Sequence, residues 1–330
     1  MRFFNNHLKW RRLNRNVTTV VPPPTNMMLE LSARCNLHCI MCAREFAYGK
    51  AMDQGFMPVD KAKRIIDQTL PYLTSIGLTG LGETFLYPHL EEVCAYIKNK
   101  KSNTIITVST NAHFKGYSEV LDKVIPYIDN LQISVDGVEE TYEKIRPNTD
   151  FSFIAENIAH TAKKCKEHGV ELKFNLVLMP QNIHHLKEVI DFTKAMGAGS
   201  IEMNPMNIAS NPDESREFYN LFTSQEFQEI CNEAKTYAEK KGGELSLLPF
   251  QENPNFQDCP FPWEHPYITW NGYLVPCCGK PFPKLLNFGN VFETDDFMAV
   301  FNGEKIQEFR RQWQRNEAPR FCHNCQYVDF

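Results

Sequence analysis

The residues of this chain with the clearest capacity for chemistry are three cysteines, Cys35, Cys39 and Cys42, with the spacing C-x3-C-x2-C. Three thiolates on one short loop can occupy three corners of a cubane four-iron cluster and leave the fourth iron without a protein ligand. An open iron is a place where a small molecule can chelate. The alternative is a zinc site, which usually takes four ligands, and His38 on the same loop is the candidate for the fourth.

A second set of cysteines lies near the C-terminus, where Cys259, Cys277, Cys322 and Cys325 are spaced C-x17-C-x44-C-x2-C. Four thiolates would complete the coordination of one iron-sulfur cluster, and they would suit zinc equally well. Cys278, the neighbour of Cys277, has three interpretations. It could replace Cys277 as a ligand, remain a free thiol near a substrate, or be a buried spectator.

The composition of the chain supports metal binding by these cysteines. The 330 residues include 11 cysteines, but they contain no secretory signal and no apolar run long enough for a membrane helix. We therefore expect a cytoplasmic protein without a membrane span, in a compartment where disulfides do not persist. A net charge of −5 provides no positive field for nucleic acid, which favours a small-molecule or peptide substrate. The isolated cysteines are expected in the core: Cys94, Cys165 and Cys231.

The sequence around these cysteines alternates between short apolar runs and longer amphipathic runs, which are the elements that must position them. This alternation predicts an α/β fold with a parallel sheet. Six strands are expected, approximately at 28–31, 76–79, 104–109, 130–135, 171–178 and 200–203. Helices are expected near 59–72, 90–100, 119–125, 153–168 and 183–196, with Gly169 and Gly197 as stops for the last two.

Small and polar residues follow several of these strands. In a parallel sheet, ligands bind at the carboxyl ends of the strands, so these loops are where function is expected. After the second strand comes Gly80-Leu81-Gly82-Glu83, where glycines would let the backbone approach a ligand and the glutamate could accept an ammonium group. The corresponding residues of the later strands are Ser109, Asn111, Ser134, Asp136 and Arg146.

Over residues 27–205 the cysteine motif and these loops together resemble the radical S-adenosylmethionine superfamily. The resemblance implies a partial (β/α)6 TIM-type barrel, a 4Fe-4S cluster on Cys35, Cys39 and Cys42, and S-adenosylmethionine as the second cofactor. It also implies cofactor-binding roles for the glycine-glutamate loop and for the polar strand-end residues, with Arg146 pairing with the cofactor carboxylate. Two positions depart from the family pattern: Met41 replaces an aromatic residue and Thr84 replaces a proline.

Residues 255–330 resemble the C-terminal SPASM or twitch extension of that superfamily. The resemblance implies a second, auxiliary 4Fe-4S cluster on Cys259, Cys277, Cys322 and Cys325. Because the sequence stops five residues after Cys325, we expect one auxiliary cluster. Three further segments are expected: a basic aromatic arm at 1–25, the core barrel at 26–210 and a connecting helical segment at 211–254. Little regular core is expected in the C-terminal extension.

These features favour an oxidoreductase that forms a 5′-deoxyadenosyl radical and dehydrogenates an alcohol of a sugar or cyclitol, with the auxiliary cluster as electron acceptor. A reductase such as flavodoxin or ferredoxin is the implied electron donor. The alternatives are an epimerase with Cys278 as hydrogen donor, a peptide-modifying enzyme, or a non-catalytic metal-binding scaffold. Peptide modification ranks lower because 25 residues are too few for a leader-binding domain. Candidate substrate contacts are Glu202, Asn204, Glu264, His265 and Trp270.

Overall fold

A computed structural model describes residues 19–197, 200–206, 224–247, 259, 261–315, 317 and 322. Cys325 and most of the expected N-terminal arm lie outside these residues. Within them, nine strands form one open sheet in the order β7-β6-β5-β4-β3-β2-β1-β8-β9. Neighbouring strands from β7 to β8 are parallel, and β9 is antiparallel to β8. The strands are Asn26–Leu29 (β1), Ser75–Gly77 (β2), Ile105–Thr110 (β3), Asn130–Ser134 (β4), Glu171–Leu178 (β5), Ser200–Pro205 (β6), Glu244–Leu247 (β7), Tyr267–Ile268 (β8) and Leu274–Val275 (β9).

The helices follow the strands in the alternating order that the sequence predicts. They are Ala47–Lys50 (α1), Val59–Thr69 (α2), Leu90–Lys100 (α3), Tyr117–Val124 (α4), Glu139–Ile145 (α5), Phe151–His168 (α6), Leu186–Ala195 (α7), Gln225–Lys240 (α8), Phe261–Glu264 (α9), Phe297–Phe301 (α10) and Glu304–Gln314 (α11). Helix α6 shows local control of both ends. The Asp150 side chain accepts hydrogen bonds from the first-turn amides of Ser152 and Phe153, and Gly169 ends the helix with φ +71°.

The predicted fold class is confirmed, since the six expected strands form and their sheet is parallel. Three strands were missed. β7 lies in the segment expected to connect the two domains, and it pairs with β6, so this segment contributes to the core sheet. The hairpin of β8 and β9 attaches the C-terminal extension to the other side through β1. These three strands have only two to four residues and lie beyond the regular strand-helix alternation from which the other strands were predicted.

The expectation of little regular core in the C-terminal extension is wrong. Phe297, Phe301, Phe309 and Trp313 from α10 and α11 are at most 5% exposed and belong to the main apolar core. The apolar positions of these two helices lie three or four residues apart, which places them on one face. Arg310 is buried with them, and its Nε donates to the carbonyl oxygen of Pro262 at 2.9 Å. Apolar packing therefore contributes to the stability of this region, in addition to any bound metal.

None of the helices formed by the described residues combines the length and the apolar character that crossing a membrane requires.

Candidate functional site

The loop with the first three cysteines follows β1 at the carboxyl edge of the sheet. Cys39 is buried, whereas Cys35 and Cys42 are half-buried. Burial raises the pKa of all three thiols, that of Cys39 to about 11, and the charge of Arg146 opposes the effect at Cys39. Such thiols stay neutral near pH 7 and lose their protons when a metal binds. The loop therefore presents three thiols that can bind a metal as thiolates.

The donor set of this loop fits a cluster with one open iron. Three thiols supply three ligands, and the zinc alternative needs His38 as a fourth. Instead, His38 is an exposed residue whose Nδ1 lies 3.0 Å from the Oε1 of Glu45. Among the described side chains of His, Cys, Asp and Glu, no group of three or more is placed to hold a single metal ion.

The Gly80–Glu83 loop is joined by hydrogen bonds to the chain just before Cys35. The amide of Gly82 donates to the carbonyl oxygen of Ser32 at 3.2 Å, and the amide of Glu83 donates to that of Arg34 at 2.8 Å. A Cβ atom at Gly82 would lie 2.5 Å from both of these oxygens. Glycine is required at position 82 because two protein loops meet there, which differs from the predicted reason, the approach of a ligand.

Glu83 connects the end of β2 to the end of β3. It is 3% exposed, and its two carboxylate oxygens accept the amides of Phe85 at 2.9 Å and Asn111 at 2.7 Å. Burial raises the pKa of Glu83, and these hydrogen bonds oppose the rise. The amide Nδ2 of Asn111 in turn lies 3.7 Å from the Sγ of Cys35. The structure thus brings the predicted residues Glu83 and Asn111 to the cysteine loop.

Asp136 and Arg146, both predicted to bind the cofactor, form a buried ion pair with each other. The Nε of Arg146 donates to Oδ2 of Asp136 at 2.8 Å, and Oδ1 of Asp136 accepts the amide of Val177 at 2.8 Å. The amide of Ile40 donates to the carbonyl oxygen of Ile145 at 3.1 Å, so the cysteine loop lies directly against this pair. Asp136 therefore orients the arginine, and pairing of Arg146 with a cofactor carboxylate stays a prediction.

The remaining predicted strand-end residues lie at the same edge. Ser109 in β3 donates its hydroxyl to Oε1 of Gln132 at 2.9 Å, and Ser134 is the half-buried last residue of β4. On β6, the Nδ2 of Asn204 donates to Oδ1 of Asn175 at 2.6 Å and contacts Oε1 of Glu202 at 3.3 Å. Their predicted contacts with cofactor or substrate stay predictions.

Sequence reasoning missed Glu30, which is 2% exposed directly after β1. Its Oε1 accepts the amide of Leu81 at 2.8 Å and the hydroxyl of Tyr267 at 3.1 Å, and its Oε2 accepts the amide of Trp270 at 3.1 Å. Burial raises the pKa of Glu30 to about 6, although these hydrogen bonds oppose the rise. A Cβ at Gly80 would lie 2.3 Å from the Cγ of Glu30. The signal was a lone carboxylate inside the apolar run 27–31.

A cavity of about 250 Å³ lies between the barrel loops and the C-terminal extension. Glu30 and Leu81 line it from the barrel, and Trp270 and Pro281 line it from the extension. The indole Nε1 of Trp270, a predicted substrate contact, donates to the carbonyl oxygen of Asp53 at 3.2 Å. The cavity is therefore bounded by the Gly80–Glu83 loop and by the segment that follows Cys277.

The second cysteine set is described in part. Cys259, Cys277 and Cys322 are half-buried and Cys278 is exposed, so the interpretation of Cys278 as a buried spectator is wrong. Burial and the Glu30 carboxylate raise the pKa of Tyr267, and Cys278 acts in the same direction, which places Cys278 near this tyrosine. The other predicted contacts are a buried Glu264 and a half-buried His265, whose ring centroid lies 5.4 Å from that of Phe261.

Comparison with known proteins assigns both parts of the chain to described families. The sequence model of the radical SAM superfamily matches residues 29–193, and that of SPASM, an iron-sulfur cluster-binding domain, matches residues 259–326.

Individual proteins resemble most of the chain. The antilisterial bacteriocin subtilosin biosynthesis protein AlbA of Bacillus subtilis is 24% identical over 92% of this chain, which spans 64% of AlbA. A probable GTP 3′,8-cyclase of Methanococcus aeolicus is 25% identical, over 86% of this chain and 92% of that protein. The crystal structure of Streptococcus suis SuiB bound to precursor peptide SuiA matches with a TM-score of 0.67 and 16% identity, over 98% of this chain and 73% of SuiB.

Proposed function

This chain belongs to the radical SAM superfamily and contains a SPASM domain, and from this premise we propose that it modifies a peptide by radical chemistry. Members of this superfamily use S-adenosylmethionine and a 4Fe-4S cluster, and SPASM domains bind auxiliary iron-sulfur clusters. When bound, these groups supply one-electron chemistry that can remove a hydrogen atom from an unactivated carbon. The protein supplies the ligands, the orientation and the exclusion of water.

The observation that supports radical chemistry most strongly is the junction of the cysteine loop with the next two strand ends. The amides of Gly82 and Glu83 hold the backbone just before Cys35, and Asn111 contacts the thiol of Cys35. This junction would keep Cys35, Cys39 and Cys42 in position as iron ligands, next to the loop proposed to bind S-adenosylmethionine. Hydrogen-bonded surroundings of this kind orient metal ligands and tune the metal.

The cofactor-binding residues proposed from sequence keep these roles as part of the proposal. Glu83 still has a lone pair for an ammonium group, because its two oxygens accept only the amides of Phe85 and Asn111 and the side chain of Thr110 among the described residues. Arg146, oriented by Asp136, would present its remaining donors to a carboxylate. Gly80 and Gly82 would hold this loop beside the ligand through their close contacts with Glu30 and with the backbone of Ser32 and Arg34. Ser109 and Ser134 would contribute hydroxyl groups at the sheet edge.

Two of the relatives support a peptide substrate, whereas a third is a probable GTP 3′,8-cyclase. One acts in the biosynthesis of the bacteriocin subtilosin, and another binds a precursor peptide. We therefore rank peptide modification above the sugar or cyclitol oxidation favoured by the sequence. The short N-terminal arm does not decide between them, because a leader-binding domain can be a separate partner.

Alcohol dehydrogenation of a cyclitol or aminosugar stays the second candidate, since the spacing of Cys259, Cys277, Cys322 and Cys325 resembles that of enzymes with one auxiliary cluster. In both candidates these four cysteines are the proposed ligands of that cluster. Cys278 is exposed near Tyr267, where it could donate a hydrogen atom if the product is an epimer. We also propose a flavodoxin or ferredoxin as the electron donor.

The test is anaerobic reconstitution with iron and sulfide, followed by addition of dithionite and S-adenosylmethionine. We expect release of 5′-deoxyadenosine and methionine, measured by liquid chromatography and mass spectrometry, and iron approaching eight atoms per chain for two four-iron clusters. An iron-loaded sample that releases neither product would favour the scaffold alternative.

A second assay separates the substrate classes. Peptides encoded beside the gene and a panel of cyclitols and aminosugars are incubated in parallel with the active enzyme. A mass change in a peptide supports the proposal, whereas oxidation of a cyclitol with no peptide change supports the second candidate. Incorporation of deuterium from the solvent at a carbon of the product would indicate epimerisation, provided that Cys278→Ala abolishes this incorporation.

A further inference from the structure

Arg44 is a buried arginine two residues after the third cluster ligand. It lies in the 3-10 turn Ala43–Glu45 and is only 6% exposed. The turn is held against the ligand loop, because the amide of Glu45 donates to the carbonyl oxygen of Cys42 at 2.9 Å. On its other side the backbone of helix α1 is in close contact, since a Cβ at Gly49 would lie 2.4 Å from the Cα of Arg44. The arginine is thus fixed within the metal-binding loop.

Among the described residues, the guanidinium of Arg44 has no hydrogen-bond or ion-pair partner. Its Nε and Nη1 are shielded from solvent without a hydrogen-bond acceptor among the described residues, and none of the ion pairs found there includes Arg44. By contrast, the second arginine of this site, Arg146, is paired with Asp136. A buried cation without a counter-charge is strongly unfavourable, so buried charges in stable proteins are paired or face a bound ion.

The groups within electrostatic reach of Arg44 identify the missing anion. Arg44 lies within electrostatic reach of the thiols of Cys35 and Cys42 and of the Glu30 carboxylate. Glu30 already accepts three hydrogen bonds from Leu81, Tyr267 and Trp270. The thiols of Cys35 and Cys42 become anionic when they bind iron. The thiolate-ligated cluster would therefore place a second anion, in addition to Glu30, beside Arg44.

We propose that Arg44 is the buried counter-charge of the first iron-sulfur cluster and that it raises the reduction potential of this cluster. A positive charge beside a cluster favours the state with one more electron, and the effect is large where solvent cannot screen it. The inference uses the cluster that the superfamily provides, and it does not depend on the proposed peptide substrate. Failure of the peptide assay would leave it intact.

The experiment is a redox titration of the reconstituted protein, followed by electron paramagnetic resonance. The signal of the first cluster is recognised by its change when S-adenosylmethionine is added, and it is then titrated without S-adenosylmethionine. We expect Arg44→Met to shift the midpoint potential to more negative values and Arg44→Lys, which keeps the charge, to shift it much less. An unchanged potential in Arg44→Met overturns the proposal.

Arg34→Met is the matched control, because Arg34 directly precedes Cys35 but is exposed over the ring of Phe56. Solvent screens its charge, so its removal should leave the potential close to that of the wild type. An equal shift in both variants would contradict a role of buried charge. An unchanged potential with weaker S-adenosylmethionine binding in Arg44→Met would assign Arg44 to the cofactor carboxylate instead and would also overturn the proposal.

Urea unfolding of the metal-free protein provides a second test, which does not depend on how much cluster each variant binds. Without the cluster Arg44 has no hydrogen-bonded anion among the described residues, so metal-free Arg44→Met should be at least as stable as the metal-free wild type. A clear loss of stability would show that Arg44 serves a structural role, and the proposal would then fail.

Discussion

The carboxylate of Glu30, directly after β1, accepts a hydrogen bond from the hydroxyl of Tyr267 in β8 at 3.1 Å. Both residues are buried, and 237 positions separate them in the sequence. The same carboxylate accepts the amide of Leu81. Glu30 therefore connects the proposed cofactor loop to the C-terminal extension, where the strands β1 and β8 run side by side.

This buried carboxylate predicts a specific pH dependence of stability. The pKa of Glu30 rises from its ordinary value of 4.5 to about 6 on folding, so between these values the folded protein binds the additional proton. The contribution of Glu30 to the free energy of unfolding is fully present below pH 4.5, and it falls by about 2 kcal/mol as the pH rises to about 6. We expect Glu30→Gln to lack this fall, measured as the difference between urea-unfolding free energies of the two metal-free proteins from pH 4.5 to 7. Parallel curves would refute the assignment.

The close approach of two loops at Gly82 predicts that Gly82→Ala is destabilising. The added Cβ would lie 2.5 Å from the carbonyl oxygens of Ser32 and Arg34, and backbone cannot easily move away. We expect a loss of about 1–3 kcal/mol in unfolding free energy and a lower iron content after reconstitution. The matched control is Gly77→Ala, whose Cβ would lie 3.5 Å from the Cγ of Met28, an ordinary contact. Similar losses in the two variants would contradict the steric explanation.

The buried ion pair of Asp136 and Arg146 predicts that a single substitution at Asp136 strongly destabilises the protein. Asp136→Asn leaves Arg146 buried and without its counter-charge, and breaking one side of a buried pair costs about 3–5 kcal/mol. Unfolding in urea measures the loss. The control is Glu140→Gln, which breaks the exposed ion pair with Lys144 and should leave stability unchanged. A small loss in Asp136→Asn would mean that another group neutralises Arg146.

The assignment of the iron ligands predicts a sharp contrast between two cysteines. Cys42→Ala removes one of three ligands, so release of 5′-deoxyadenosine should fall below detection and iron should decrease by about four atoms per chain, the content of one cubane. Cys94→Ala changes a fully buried cysteine of α3 and should retain both cofactor cleavage and iron. Activity in Cys42→Ala would remove Cys42 from the ligand set.

Much of the site was predictable because its residues are local in sequence. The spacing of Cys35, Cys39 and Cys42 places three thiols on one loop whatever the remaining chain does. The order of strands and helices then places Glu83 and Asn111 at the same edge, because parallel strands with helical connections end on one side. These two levels of information identified the superfamily, which the family models confirmed.

The tertiary structure decided which of these groups are already paired within the protein. It paired Arg146 with Asp136 and placed Glu30 beside Gly80, and it buried Arg44 with no hydrogen-bond partner in the part of the chain that the structure describes. Such contacts join residues from different strands and depend on which strands become neighbours, above all on β8 lying beside β1. Sequence by itself thus determined the kind of chemistry, and the packing of distant segments determined the charges and hydrogen bonds that surround it.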